Sequence, residues 1–175
     1  MTHPKFRQYS ESQIREVVDT NDKKRFTIAS FETAEGPKDF IRANQGHSIK
    51  TIQVEMEPVT SAAEYPNIIH GTNTAAWALI SKDPKGISRM KRNHIHFATG
   101  LLGEDGVISG MRYSCTVLIY LDLDKALKDG VTFFKSENGV VLTEGVNGEG
   151  YIPKEYFKKV VTTKGEILWS PQSDE

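Results

Sequence analysis

Near the start of the chain, apolar positions recur first at helical spacing and then at strand spacing. A short apolar stripe within residues 14–18 follows Ser10-Glu11-Ser12-Gln13, which has the spacing of a helix capping box. Strand-like segments come next at residues 25–28 and 39–42, and the polar, Gly-Pro-containing residues 32–38 are predicted to join them as a hairpin loop. A helix followed by a two-stranded hairpin is typical of the back half of a winged helix.

Beyond this hairpin the pattern predicts mostly short strands. Residues 58–66 have turn and loop character, and we take them as the boundary between residues 1–57 and residues 58–175. The strands predicted in the second segment are residues 67–70, 94–97, 114–122, 131–134, 140–143 and 167–169. Only two short helices are predicted there, at residues 75–80 and 124–128. The expected fold class is therefore α+β, with little helix in the second segment.

Three local signals sharpen this prediction. Residues 114–122 are apolar almost throughout, which predicts a strand that is buried on both faces. Thr72 or Asn73 is expected to cap the first of the two short helices. Asn138-Gly139 is a hairpin signal between the strands predicted before and after it.

Composition limits the class of protein without deciding its activity. The 175 residues include 38% hydrophobic residues, and no apolar run approaches the ~20 residues that span a bilayer. The single cysteine, Cys115, excludes an internal disulfide and is predicted to fill space in the core. The start, MTHPK, has no apolar stretch behind it, so we expect no secretory signal and an intracellular location, in the cytoplasm, the nucleus or both.

Charge is nearly balanced, so the chain is not a broadly cationic coat for nucleic acids. The formal net charge is -1. Positive charge is nevertheless concentrated locally, since residues 85–92 contain four cations and no acid, and Lys23-Lys24-Arg25 forms a second cluster. Either patch could be no more than a solvated face. One basic patch on a mixed surface also suits an enzyme that grips phosphates at a single place.

Two arginines stand where a phosphate could be bound. Arg42 and His47 lie in a polar segment, RANQGHS at residues 42–48, just after a predicted strand. A guanidinium offers a rigid fork of donors that suits a phosphate, and Gly46 permits close backbone approach. A polar loop with an incidental arginine and histidine would look the same. Arg112 lies just before the predicted buried strand. Its side chain either forms a structural salt bridge or binds a phosphate.

Further histidines occur at the ends of predicted strands. In HGT, residues 70–72, a histidine before glycine could reach a ligand that lies over the backbone. In RNHIHFA, residues 92–98, His94 and His96 share one face of a strand while the apolar residues beside them face the core. No third His, Cys or acid occurs at convincing spacing, so a zinc site is not expected.

Taken in order, these motifs resemble those of the RNA 2′-phosphotransferase family. The series is RANQGHS at residues 42–48, HGT at 70–72, RNHIHFA at 92–98 and GVISGMR at 106–112. Three further segments are also similar: NDKKRFTI at residues 21–28, CTVLIYLDLDKAL at 115–127 and NGVVLTEG at 138–145. The resemblance extends from residue 10 to residue 165, and the combination is far more specific than any one motif.

The resemblance implies a partial winged-helix lobe within residues 1–57, which would bind RNA, and an ADP-ribosyltransferase-like, mostly β lobe within residues 58–175, which would hold NAD. It implies transfer of an internal 2′-phosphate of RNA to NAD, as at a tRNA splice junction in the final step of tRNA splicing. The phosphate attacks the ribose carbon that bears nicotinamide, and the neighbouring ribose hydroxyl then attacks that phosphate. The products are 2′-hydroxyl RNA, nicotinamide and ADP-ribose 1″,2″-cyclic phosphate. No metal is implied, and we expect a monomer.

The resemblance also assigns roles to single residues. Three match family positions that engage the phosphate and are candidate catalytic residues: Arg42, His47 and Arg112. Seven match positions on two strands that bind NAD: His70, Gly71, Thr72, Arg92, Asn93, His94 and His96. Family members carry an arginine-histidine motif on a helix near their start, and Arg7 is not in that context. We therefore expect this chain to bind NAD but to turn over poorly or not at all.

Two other functions fit the same residues. ADP-ribosyl transfer to the phosphate ends of nucleic acids, or to a protein, would share the first reaction step. A non-catalytic RNA-binding module would use the hairpin and the basic residues 85–92. Its affinity for RNA would be sensitive to salt and indifferent both to a 2′-phosphate and to NAD.

Overall fold

The computed structural model describes residues 4–49, 56–101, 103–104 and 107–171. The helices in this part of the chain are α1 Glu11–Asp19, α2 Thr74–Ile80 and α3 Leu123–Lys128. The strands in it are β1 Phe26–Thr33, β2 Gly36–Ala43, β3 Met56–Val59, β4 Ile68–Thr72, β5 Ile87–Ser88, β6 Ile95–Phe97, β7 Val117–Leu121, β8 Phe133–Ser136, β9 Val141–Thr143, β10 Tyr151–Ile152, β11 Phe157–Thr162 and β12 Ile167–Trp169. This content confirms the α+β class. Within the same ranges, no helix has the length and apolar character that a bilayer crossing requires.

α1 begins where the capping box is predicted. The Ser10 hydroxyl accepts from the Gln13 backbone N–H at 3.2 Å, and the Gln13 side chain accepts from the Ser10 backbone N–H at 2.8 Å. Two orphan donors of the first turn are thereby satisfied. Arg15 forms an ion pair with Asp39 on β2, so α1 lies against the hairpin that follows it.

β1 and β2 form the predicted hairpin, but its loop is shorter than residues 32–38. The two strands pair without interruption as far as Thr33 and Gly36, so only Ala34 and Glu35 remain in the turn. Gly36 has φ +98°, a left-handed conformation that glycine adopts without strain. A two-residue connection matches the twist of paired strands. Gly36 and Pro37 therefore belong to β2 and are not part of the loop.

Two four-stranded antiparallel sheets form the core of the described residues. Their strand orders are β12-β11-β7-β4 and β3-β8-β9-β6. The edge strands β4 and β6 meet, because Ile69 and Ala98 exchange backbone hydrogen bonds of 2.8 and 2.9 Å. The polar ends of both strands are therefore brought to one place.

The strongest predicted strand, residues 114–122, is shorter in the structure. All five residues of β7 are buried, as the apolar run predicts. Asp122 instead caps α3, its carboxylate accepting from the Lys125 N–H at 3.0 Å. Cys115 precedes the strand, is half-buried and lies 3.8 Å from the Met111 sulfur, so it is at the margin of the core rather than inside it.

The predicted boundary at residues 58–66 is only partly a loop. β3 runs into it, and Pro58 lies in that strand opposite Phe134. Proline is tolerated there because β3 is an edge strand. β5, β10 and β11 are not predicted: two of them have two residues each, and exposed Lys158 and Lys159 interrupt the apolar pattern of the third. The division between residues 57 and 58 stays a prediction.

Candidate active site where the two sheets meet

A cleft of about 730 Å³ lies beside the junction of β4 and β6. Its walls are the end of β4, the segment that leads into β6, the loop that leads into β7, and two short pieces of the N-terminal part. The lining residues are Lys23, Arg25, Gln45, Gly46, His70, Gly71, Thr72, Asn73, Ser88, Arg89, Met90, Lys91, Arg92, His94, Ile95, His96, Ser109, Gly110, Met111, Arg112, Ser114 and Cys115. This volume is in the range of cavities that bind a cofactor-sized molecule.

The lining of this cleft is strongly basic. Six of its described residues are cations, namely Lys23, Arg25, Arg89, Lys91, Arg92 and Arg112, and none is Asp or Glu. The guanidinium groups of Arg25, Arg92 and Arg112 make no hydrogen bond or ion pair with the described residues. Arginine presents a planar fork of donors that fits phosphate oxygens. The cleft is therefore suited to a ligand with several phosphates.

The side chain of His70 is held by the strand beside it. Its Nδ1 lies 3.0 Å from the backbone oxygen of His96, and its ring packs edge-on against Phe97 with 5.9 Å between the centroids. Burial lowers the pKa of His70, and the charge of Arg92 lowers it further, so the ring is neutral. Nδ1 then carries the proton donated to the carbonyl, which leaves Nε2 as an acceptor.

The pKa of His96 is also lowered strongly. Burial, and after it the charge of Arg92, lowers its pKa to about 3. Its Nε2 atom is buried and has no hydrogen-bond partner among the described residues. A buried polar atom without a partner costs about 1–3 kcal/mol, so its presence beside a cleft indicates an atom that meets a ligand.

Acidification is expected to destabilise the fold through His96. Its folded pKa is about 3 and its ordinary value is 6.5, so between these values the unfolded chain binds the extra proton. The contribution of neutral His96 to the free energy of unfolding is therefore complete above pH 6.5, and it is lost as pH falls toward 3. We expect the free energy of unfolding to fall by about 2 kcal/mol from this group between pH 7 and pH 5. Urea denaturation at both pH values measures it, and His96→Asn should show a drop smaller by that amount. Equal drops in the two proteins would contradict the prediction.

Asn93 connects β6 to the RANQGHS segment and the residue after it. The Asn93 backbone N–H donates to the His47 carbonyl at 2.9 Å, and the Asn93 side chain donates to the Ile49 carbonyl at 3.0 Å. His94 Nε2 lies 4.0 Å from a carboxylate oxygen of Glu144. Burial lowers the pKa of His94 more than Glu144 raises it.

In the described ranges, no group of three or more His, Cys, Asp or Glu side chains is arranged to hold a metal ion.

The loop that carries Arg112 is pressed into the junction of the sheets. Gly110 has φ +112°, and a Cβ there would lie 2.6 Å from the Ala98 Cα. On the other side, a Cβ at Gly71 would lie 2.7 Å from the Met111 Cβ. The two glycines therefore let this loop lie directly on β4 and on Ala98 beside the end of β6, with Met111 buried. Gly71, assigned to NAD by the family resemblance, has an evident packing role.

Gly110→Ala is expected to destabilise the protein by about 2–4 kcal/mol, because the new methyl group meets the backbone of a buried residue. Gly130→Ala is the matched control, since Gly130 also has a positive φ, +85°, but has no atom within 4 Å of the added Cβ. The control should cost about 1 kcal/mol. Equal losses in urea denaturation would show that backbone strain alone, and not close packing on Ala98, makes Gly110 necessary.

Lys23 connects the N-terminal part to the Arg112 loop. It is 4% exposed, and its Nζ donates to the Met111 carbonyl at 2.9 Å. The same Nζ lies 4.0 Å from the centre of the Tyr113 ring, and the Tyr113 hydroxyl is 3.3 Å from a carboxylate oxygen of Asp22. Burial and the charge of Arg25 lower the pKa of Lys23. The loop is thus held between the sheets and the N-terminal part.

The structure brings together most of the residues singled out from the sequence. His70, Gly71, Thr72, Arg92, His94, His96 and Arg112 all line the cleft. Asn93 lies beside them, and the His47 carbonyl is bound to it. Arg42 is not among the lining residues, and its side chain forms an ion pair at 3.1 Å with Glu137, in the turn between β8 and β9. His47 is not among them either, although its neighbour Gly46 is.

Arg25 and Lys23 are the site residues that the sequence reasoning leaves out. Both line the cleft, and both belong to the motif NDKKRFTI and to the basic cluster noted in the sequence. Arg25 directly precedes β1, so the pattern alone favours a place in the hairpin. Arg42, with a histidine and a glycine nearby, has the context typical of a ligand-binding loop.

Comparison with known proteins gives one consistent result. Residues 1–145 match the family described as RNA 2′-phosphotransferase, Tpt1 / KptA. A protein of Schizosaccharomyces pombe is 53% identical over 94% of this chain, which covers 43% of that protein. tRNA 2′-phosphotransferase 1 of Bos taurus is 44% identical over 90% of the chain, covering 61% of that protein. tRNA 2′-phosphotransferase of Saccharomyces cerevisiae is 40% identical over 88% of the chain, covering 64% of that protein. The chain thus spans 43–64% of the length of these three relatives.

Proposed function

Because this chain belongs to the RNA 2′-phosphotransferase, Tpt1 / KptA family, we propose that it removes an internal 2′-phosphate from RNA with NAD as co-substrate. The observation that carries the proposal is the cleft between the sheets, whose described lining holds six cations and no acid. A dinucleotide has two phosphates, and a 2′-phosphorylated RNA brings at least two more. Such a ligand set needs a basic site with arginine donors.

The residues of the cleft fit NAD. Arg92 and Arg89 lie on the segment before β6 and would neutralise the pyrophosphate. The unpartnered Nε2 of His96 and the ring of His70 offer neutral donor and acceptor atoms to ribose hydroxyls or to the nicotinamide amide. Bound NAD supplies the ribose carbon that accepts the RNA phosphate, with nicotinamide as the leaving group.

We assign the phosphate clamp to Arg112 and Arg25. Both line the cleft, both are exposed toward it, and neither guanidinium makes a hydrogen bond or ion pair within the described ranges. Fixed guanidinium groups at the reacting phosphate would stabilise charge that develops during transfer without any reorganisation of solvent. Arg42 is a weaker candidate than its sequence context suggests, because Glu137 already neutralises it outside the cleft lining.

His47 stays a candidate for the rim of the site. Its backbone carbonyl accepts a hydrogen bond from Asn93, and the residue is close enough to His94 to contribute to the lowered pKa of His94. Gly46 of the RANQGHS segment already lines the cleft, and a Cβ at this position would lie 3.8 Å from His96 Nε2. The RNA would then approach over this segment, and NAD would lie deeper, against β4 and β6.

The test is a single assay with products identified by mass. The chain is incubated with NAD and an RNA that has one internal 2′-phosphate. We expect 2′-hydroxyl RNA, nicotinamide and ADP-ribose 1″,2″-cyclic phosphate, and the expectation of slow turnover is measured at the same time. ADP-ribosylation of a terminal phosphate with retention of that phosphate would favour general ADP-ribosyl transfer instead. Salt-sensitive RNA binding that ignores both NAD and the 2′-phosphate would favour a plain RNA-binding module.

A further inference from the structure

We infer that Asn138 is a positioning residue for the phosphate clamp and that it holds the segment carrying Arg25 from the opposite end of the chain. The inference rests on the proposed function, in which Arg25 and Arg112 bind the 2′-phosphate. Asn138 lies in the turn between β8 and β9. Among the described residues, it is not one that lines the cleft, so it would act only through the residues that it holds.

The side chain of Asn138 is buried and forms a hydrogen bond at each end of its amide. It is 1% exposed, its Nδ2 donates to the Lys23 carbonyl at 3.1 Å, and its Oδ1 accepts from the Ser136 hydroxyl at 2.9 Å. One amide end faces a carbonyl and the other a hydroxyl, so only one orientation of the amide satisfies both. The bond to Lys23 is therefore directional and lies in a buried environment, where loss of a partner is costly.

The turn itself does not require an asparagine at this position. Asn-Gly favours hairpin turns because both residues tolerate positive φ. Here Gly139 takes the positive φ, +75°, whereas Asn138 is not among the non-glycine residues with positive φ. The identity of Asn138 is therefore explained by its amide and not by its backbone.

The segment Lys23-Lys24-Arg25 is held at each residue, but by different parts of the chain. Asn44 donates from its side chain to the Lys24 carbonyl at 2.9 Å and from its backbone to the Arg25 carbonyl at 2.8 Å. Those bonds lie within the N-terminal helix and hairpin. Asn138 is the buried side chain from the second half of the chain that binds the backbone of this segment. It fixes where Arg25 stands relative to the sheets.

The same segment also reaches the second arginine of the clamp. Lys23, whose carbonyl Asn138 holds, donates from Nζ to the Met111 carbonyl, and Arg112 follows directly. Asn138, Lys23 and Met111 thus form a buried connection between both arginines. A displacement of about 1 Å in a reacting group can lower a rate about 100-fold, so one polar contact that fixes two donors has a measurable effect.

The experiment measures how well the 175-residue chain distinguishes an RNA with one internal 2′-phosphate from the same RNA without it. In Asn138→Ala we expect the ratio of the two affinities to fall about tenfold, because the clamp arginines are no longer fixed. The affinity for NAD alone should stay within about twofold, since the strands β4 and β6 are untouched. Ser136→Ala is the matched control. It removes hydrogen bonds of the same turn to Val140 and Asn138 but leaves the amide donor that faces Lys23.

A second variant keeps the inference testable when Asn138→Ala unfolds. Asn138→Asp has the same size but, when ionised, places an oxygen against the Lys23 carbonyl. When protonated, it can donate to that carbonyl again. Its discrimination, expressed relative to the unsubstituted chain at each pH, should therefore recover as pH is lowered from about 8 to about 5.5. A residue that only stabilises the turn would show no such recovery.

The outcomes separate the inference from the proposed function. An unsubstituted chain that does not distinguish the two RNAs contradicts the proposed function and the inference with it. A chain that does distinguish them, with Asn138→Ala unchanged, overturns the inference alone. Equal losses in Asn138→Ala and Ser136→Ala also overturn it, because stability of the turn would then be the cause. Parallel loss of NAD affinity would have the same meaning.

Discussion

Replacing Arg112 with alanine is expected to lower the rate of 2′-phosphate removal by about 10²- to 10³-fold, the usual cost of deleting a fixed donor to developing charge. Arg112 lines the cleft from a loop that is held by Gly110 on one side and Lys23 on the other. Its side chain is exposed and makes no hydrogen bond or ion pair with the described residues. The substitution should therefore leave the free energy of unfolding within about 0.5 kcal/mol.

Single-turnover rates with enzyme in excess measure this loss even when turnover is slow. Arg112→Lys is the informative control, because lysine keeps the charge but not the planar fork of donors. We expect it to fall between the alanine variant and the unsubstituted chain. Wild-type rates in Arg112→Ala would remove Arg112 from the clamp, and a large loss of stability would mean that the effect was not on chemistry.

Arg25→Ala is expected to lower the same rate by about 10²-fold or more, whereas Arg42→Ala should change it less than about tenfold. The two residues are a natural pair for comparison, because both flank the same hairpin. Arg25 lines the cleft, while Arg42 is paired with Glu137 at 3.1 Å in an exposed ion pair. Exposed ion pairs contribute about 0–1 kcal/mol, so loss of this one should have little consequence.

The measurement is the single-turnover rate together with the affinity for 2′-phosphorylated RNA. A variant Glu137→Gln tests the role of Arg42 from the other side, since it releases the arginine without removing it. If Arg42→Ala lost more activity than Arg25→Ala, the assignment read from the sequence would be right and the one based on the cleft would be wrong.

Local features of the fold were predictable from neighbouring residues. The capping box of α1, the Asn73 helix cap and the hairpin of β8 and β9 each depend on residues within one turn of the chain. Asp122 is different, because it is predicted as the end of a strand and caps α3 in the structure. The loop between β1 and β2 was predicted too long because a glycine and a proline suggested a turn. In the structure, pairing of the two strands continues through both residues.

The composition of the cleft was less accessible from the sequence. Arg25 and Arg112 are far apart along the chain but line the same cleft, and Lys23 binds the carbonyl just before Arg112. The alternation of side chains along a strand predicts the face on which each residue lies. It does not predict which of two nearby arginines will face a loop that is far away in the sequence. Arg42 was the natural choice on local context. The register of the hairpin places it opposite Thr27, and both side chains bind Glu137.

Pro58 in β3 has a consequence for solubility. An edge strand exposes a row of backbone groups on which another chain can form a new strand, and this is a common route to aggregation. Proline has no N–H to donate, and its neighbour Glu57 presents an exposed carboxylate that pairs with Lys135 at 2.9 Å. A second β-strand cannot complete its hydrogen bonds along this edge. Pro58 and this charged pair thus disfavour the addition of another strand to the β3 edge.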